Sequence, residues 1–225
     1  MKRTLTISAI ALVALMGVGL WQIGAEAEET TASSTTAEVT QVAAEGDAAS
    51  TEIKEMVLGN ADATVTVTEY ASFTCPHCAN FHTAVFKDLK KDYIDTGKIK
   101  FVYRDVFFDR FGLWASMVAR CDDGSRFFGI SDIIYSTQSE WAAGSDPSEI
   151  VGRLRKIARV AGIEEEKLDA CLADNDKAKA LVAWFKANAE ADEVDSTPTL
   201  IINGEKYRNM NYADLSAILD EKLAE

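Results

Sequence analysis

Cys75-Pro76-His77-Cys78 constrains this chain more than any other segment. It falls where a two-residue periodicity gives way to a helical one. Before it, Thr64-Val65-Thr66-Val67-Thr68-Glu69-Tyr70 alternates and is rich in β-branched residues, the pattern of a strand. After it, Phe81, Val85, Phe86, Leu89, Tyr93 and Ile94 recur at helical spacing and Gly97 stops the pattern, which predicts a helix over residues 75–96. Two thiols on the first turn of a helix can close a small disulfide and open it again. The first thiol meets free backbone N–H groups and the positive end of the helix dipole, and both favour a thiolate.

The remaining pattern extends this start into an α/β fold. Residues 99–108 form a second apolar strand, and strand–helix–strand implies a parallel pair with a right-handed crossover. Residues 109–195 contain no strand pattern. Helices are expected over 111–121, 125–138, 147–160 with Pro147 in the first turn, 164–172 and 177–191. In the last of these, Leu181, Trp184, Phe185 and Asn188 mark an inward stripe. β structure returns at Thr199-Leu200-Ile201-Ile202. Asn203-Gly204 then offers the pair preferred in a two-residue type I′ hairpin, with Glu205-Lys206-Tyr207 returning. Asn211 can cap a final helix that turns Leu215, Ile218, Leu219 and Leu223 inward.

The chain opens Met1-Lys2-Arg3 and then stays nearly uncharged to Ala25-Glu26-Ala27, an A-x-A cleavage pattern. A basic start, an apolar run and small residues at a cut site describe a secretory signal peptide over 1–27. An uncleaved membrane anchor is the alternative, because the run is about as long as a bilayer requires. Either way the folded part is expected outside the cytoplasm, where disulfides persist. Residues 28–51 are rich in Ala, Thr, Ser and Glu and too poor in large apolar side chains to offset their ordering entropy, so they read as a flexible linker. The formal charge of −13 argues against nucleic acid. The basic cluster Arg153-Leu154-Arg155-Lys156 reads as a solvated helix face.

Each residue at the motif has a chemical reading and a plainer one. Cys75 is the attacking or attacked sulfur, and Cys78, one turn inside, is the resolving thiol. Pro76 fits the first helical position. A protonated His77 would stabilise the Cys75 thiolate; otherwise it is only a turn residue. Glu69, on the apolar parity of its strand, either exchanges a proton with Cys78 or is paired within the sheet. Zinc would require Cys75, His77, Cys78 and His82 to converge from adjacent positions, which they would do only with strain, so no metal is expected. Covalent haem requires His directly after the second Cys, and Ala79 stands there. A disulfide closing so short a loop would be a weak staple. Pro198 opens a strand, where a missing N–H is tolerated.

With these residues in view, the chain resembles the DsbA family of thioredoxin-fold proteins. Cys75-Pro76-His77-Cys78 after an apolar strand bearing Glu69, Thr197-Pro198 before another strand, and helices between the two halves carry the likeness, which runs from about Glu52 to Leu223. It implies a thioredoxin-like domain over 52–108 and 192–225 with an inserted helical domain over 109–191. It implies an exported, periplasmic thiol:disulfide oxidoreductase without a cofactor, monomeric, acting on unfolded secreted proteins that carry thiols. A membrane partner of the DsbB type, linked to quinone, would reoxidise it. Thr197 and Pro198 take the positions of the family's substrate-binding cis-proline loop. Thr197 departs from the Val of the best-known oxidases and is more typical of isomerase and reductase relatives. A reductase or isomerase, or a non-catalytic chaperone-like binder, are therefore the alternatives. The family's strongly acidic first cysteine carries over to Cys75. A second departure is the further pair Cys121 and Cys171. With Cys75 and Cys78 claiming each other, these two remain for a structural disulfide like the extra bridge of some relatives; two buried free thiols are the alternative.

Overall fold

The computed structural model describes residues 52–225. The expected signal segment over 1–27, its membrane-anchor alternative and the expected linker over 28–51 lie outside them. No helix among the described residues is long and apolar enough to cross a membrane.

The sheet has five strands: β1 (Met56–Gly59), β2 (Val65–Ala71), β3 (Ile99–Asp105), β4 (Thr199–Ile202) and β5 (Glu205–Arg208), in the order β1-β3-β2-β4-β5. β2 and β3 are parallel, with Val65 opposite Ile99 and Ala71 opposite Asp105; the other pairs are antiparallel. As the middle strand, β2 is covered on both faces. Val65, Val67, Glu69 and Ala71 are buried on one, and Thr68 and Tyr70 on the other. The β4–β5 turn has Asn203 at φ 47° and Gly204 at φ 87°, the two left-handed residues that a type I′ turn needs.

Between β2 and β3 the chain forms α1 (Pro76–Ala84), α2 (Phe86–Leu89) and a π-turn over Lys90–Ile94. The expected single helix over 75–96 is thus interrupted at Val85. The Thr83 hydroxyl donates to the Ala79 carbonyl at 2.8 Å, a back-bond that bends helices. The same device divides the expected helix over 125–138 into α4 (Phe127–Ser136) and α5 (Gln138–Trp141), where the Thr137 hydroxyl donates to Ile133 O at 2.7 Å. β3 ends three residues before the expected 108. Asp109 caps α3 (Arg110–Ala119), accepting from the N–H of Phe111 at 2.7 Å and Gly112 at 2.9 Å, and so turns the chain away.

α6 (Pro147–Val160), α7 (Glu165–Ala173) and α8 (Asn175–Ala191) complete the block between β3 and β4, and α9 (Tyr212–Ala224) closes the fold. One apolar cluster joins Val65, Phe81, Phe101 and Tyr103 to Val118, Phe127, Ile130 and Leu154, so the inserted helices share the core of the sheet. α8 covers the other face, where Phe185 and Ala189 pack on Tyr70, Val106 and Ile201. Asp105 and Arg120 form a buried ion pair at 2.7 Å, and Arg120 also donates to Lys54 O at 2.8 Å. A disulfide joins Cys121, just past α3, to Cys171 in α7, with Cα atoms 5.9 Å apart.

Candidate active site

Cys75 is the N-cap of α1, in extended backbone (φ −85°, ψ 118°), and Pro76 occupies the first helical position. Pro has no N–H to lose there and its φ already suits the helix. Cys75 keeps 7% of its surface exposed, whereas Cys78 is fully buried. Both thiols are free, so this is the dithiol state.

The two sulfurs are driven apart in acidity. Cys75 falls from 9.0 to about 5. The Cys78 thiol, donating to it, is the main cause; the side chain of Thr197 and the backbone N–H groups of Cys78 and His77 add to it, against the opposing effect of burial. Cys78 is pushed far up, first by burial, then by its bond to Cys75 and by the nearby Glu69 charge. One sulfur is therefore a thiolate at neutral pH and the other stays protonated. His77 is exposed, and its backbone N–H is among the groups that lower the pKa of the Cys75 sulfur.

Thr197-Pro198 lies across from Cys75 and its peptide bond is cis. The Cys75 sulfur is 3.6 Å from the Thr197 carbonyl oxygen, 122 residues away in the chain. Antiparallel pairing of β2 with β4 brings the loop there, because Tyr70 lies opposite Thr199. Glu69 is fully buried and is not paired within the sheet. Its two oxygens face His82 Nε2 of α1 at 2.9 and 3.1 Å.

A thioredoxin family model matches residues 51–221. The chain belongs to the thioredoxin family. A candidate protein-disulfide oxidoreductase of Rickettsia bellii is 36% identical over 172 residues, covering 76% of this chain and 65% of that protein. The chain thus spans less than two thirds of that relative. Disulfide bond formation protein D of Bacillus subtilis is 27% identical over 176 residues, covering 74% of this chain and 76% of that one. Among solved structures, Wolbachia pipientis alpha-DsbA1 superposes with a TM-score of 0.70 at 23% identity, covering 77% of this chain and 92% of that one. Oxidised BdbD from Bacillus subtilis gives 0.67 at 24%, covering 76% and 94%. The thioredoxin-like fold with added helices, and the likeness to DsbA proteins, stand as the sequence led us to expect.

Three features of this thioredoxin-family site were not read from the sequence. The first is His82 as the partner of Glu69, although its i, i+4 spacing from Cys78 on one helix was a usable signal. The second is Gln138 of α5, whose side-chain amide donates to Phe73 O at 2.7 Å and Cys75 O at 3.0 Å. The third is Asp109, which accepts from the Thr74 hydroxyl at 2.9 Å. The last two tie the loop before Cys75 to the inserted helices, and no local pattern announces contacts across 63 or 35 residues. Beside Asp109, Phe108 is 61% exposed, and the Arg110 guanidinium stacks over Phe111 and Trp114. Among the described residues, no cluster of three or more His, Cys, Asp and Glu side chains could hold a metal ion.

Proposed function

We propose that this chain is an exported, periplasmic thiol:disulfide oxidoreductase that donates the Cys75–Cys78 disulfide to thiols of unfolded secreted proteins. The observation that carries this reading is the placement of the pair, with Cys75 at the N-cap of α1 and 3.6 Å from the Thr197 carbonyl and Cys78 sealed behind it, which drives the pKa of Cys75 down and that of Cys78 up. Stabilising one thiolate favours the dithiol, and a pair that prefers the dithiol is an oxidant as a disulfide. In the forward reaction a substrate thiolate attacks Cys75 Sγ. The Cys75–Cys78 bond breaks, the substrate–Cys75 disulfide forms, and Cys78 leaves and takes up a proton. A second substrate thiolate then attacks the substrate sulfur of that mixed disulfide. The substrate disulfide forms and Cys75 leaves as its stabilised thiolate. A quinone-linked membrane partner of the DsbB type takes the two electrons back.

Pro76 sets the helix start, and Thr197 and Pro198 form the peptide-binding loop, with the Thr197 carbonyl placed beside the reacting sulfur. The exposed Phe108 and the half-buried Phe111 and Trp114 offer an apolar surface suited to unfolded chains. Cys121–Cys171 serves stability and takes no part in exchange, and the chain works as a monomer with no cofactor. Thr197 before the cis-proline favours a second reading, a reductase or isomerase on the same scaffold.

The deciding measurement is the reduction potential of Cys75–Cys78 in glutathione buffers, read by mass spectrometry of the peptide that carries both. A potential above the glutathione couple is expected. A value near the thioredoxin range of about −270 mV would replace the donor with a reductase or isomerase. A Cys75→Ser variant that retained all cellular function would replace it with a non-catalytic binder.

A further inference from the structure

Cys78 is sealed from solvent, yet the exchange reaction requires it to gain a proton when it leaves and to lose one when it attacks. We propose that His82 is the proton port of this site, loading and unloading Glu69, which in turn serves Cys78. The proposal rests on the exchange chemistry given above. His82 touches neither sulfur and acts through Glu69, so it is a positioning residue for the proton.

The geometry sets up the path. α1 puts Cys78 and His82 one turn apart on one face, and Glu69 of β2 bonds His82 while its charge acts on Cys78. The Glu69 side chain has no exposed surface, whereas that of His82 keeps 4%. Of the two, only the imidazole reaches solvent. Nε2 is committed to the carboxylate at 2.9 and 3.1 Å, and among the described residues no protein group bonds Nδ1. One nitrogen thus faces the buried acid while the other remains open for exchange with water. The ring is held in this orientation between Tyr135, stacked at 4.1 Å and 17°, and Phe86 at 4.7 Å.

The other titratable groups around the pair do not compete. The hydroxyls of Tyr103 on β3 and Tyr135 on α4 bond each other at 2.6 Å, and burial drives both far above their usual range, so they stay protonated. Asp105, at the end of β3, is engaged by Arg120. Among the described residues no lysine or arginine pairs with Glu69, which leaves the His82 imidazole as its side-chain partner.

When a substrate thiolate breaks the Cys75–Cys78 bond, the electron pair goes to Cys78 Sγ. Glu69 delivers a proton there and is refilled by His82 from solvent. In reoxidation the proton runs the other way as Cys78 attacks the mixed disulfide on Cys75 and the oxidant's sulfur leaves.

The test uses the full-length reduced protein with oxidised glutathione, acid quenching and mass spectrometry, so that the lifetime of the Cys75–glutathione mixed disulfide reports the attack of Cys78. His82→Gln keeps an N–H for Glu69 but cannot titrate. We expect it to lengthen that lifetime about 100-fold at neutral pH, the range typical of acid–base assistance, and to remove an inflection from the pH profile. Glu69→Gln should do the same, and the double variant should be no slower than either single one. The midpoint for alkylation of Cys75 should stay in place in His82→Gln. Resolution at the wild-type rate in His82→Gln, additive effects in the double variant, or an alkylation midpoint that moves with the rate would each overturn the port. Should the variants not fold, the wild type still decides. A solvent isotope effect that curves with deuterium fraction signals two protons in flight and supports the relay, and a linear or absent effect refutes it. Wild-type protein that forms no mixed disulfide would sink the exchange reading itself, a result distinct from any of these.

Discussion

The acidity of Cys75 should be visible as a bend in the pH dependence of the reduction potential. The perturbation is pH alone. The disulfide has no titrating sulfur, so the linkage belongs to the dithiol. Cys75 drops from 9.0 to about 5. A depressed pKa contributes stability that is complete above 9, partial at pH 7, and lost as pH falls through 5. At pH 7 about two decades of the shift are realised, or ~2.7 kcal/mol in favour of the dithiol. This is an upper bound, because solvent reaching the exposed side of the sulfur screens it. It corresponds to about 60 mV of added oxidising power at pH 7 relative to an unshifted pair. Below pH 5 two protons accompany two electrons, and the potential should fall by about 59 mV per pH unit. Above pH 5 only Cys78 takes a proton and the slope should halve to about 30 mV. The shallow slope should persist through pH 9, because Cys78 is raised well beyond that. The assay is equilibrium with glutathione or dithiothreitol between pH 4 and 9, as buffers of about constant ionic strength, read by alkylation of free thiols. A steep slope through neutrality, or a bend near 9, would refute the assignment of a stabilised Cys75 thiolate.

Two stability predictions concern the links between the inserted helices and the sheet. Replacing Cys121 and Cys171 by Ser removes a bridge spanning 50 residues. The chain-entropy estimate for such a loop is roughly 4 kcal/mol, so calorimetry should find a clearly lower Tm while exchange at Cys75 continues; a folded double variant without exchange would contradict a purely structural bridge. Arg120→Met would leave Asp105 charged at 1% exposure with no partner. Such losses are about 3–5 kcal/mol, and denaturant titration should show that Asp105→Asn added to Arg120→Met restores part of it. Equal midpoints for Arg120→Met and wild type would mean that the pair contributes nothing.

Much of this protein can be read along the chain. β2, the start of α1, the helical block, the type I′ turn and the capped last helix all declare themselves through period, caps and turn residues, which act over a few positions. β1 escaped notice, because Met56–Gly59 is only four residues long and its strand character comes from pairing with β3. The breaks at Val85 and Thr137 were also missed, since a single threonine back-bond is too small to disturb an apolar stripe. At the site, the sequence by itself determined the chemical groups: two thiols one helical turn apart, a proline between them, an acid on the preceding strand. Only the tertiary structure decided how they are used. It set the Thr197 carbonyl 3.6 Å from Cys75 and tied the approach to Cys75 with Gln138. It also gave Glu69 to His82 instead of to a sheet neighbour. Those choices depend on which faces meet when strands and helices pack: burial holds the proton on Cys78, and the bond that Cys78 donates leaves the charge on Cys75.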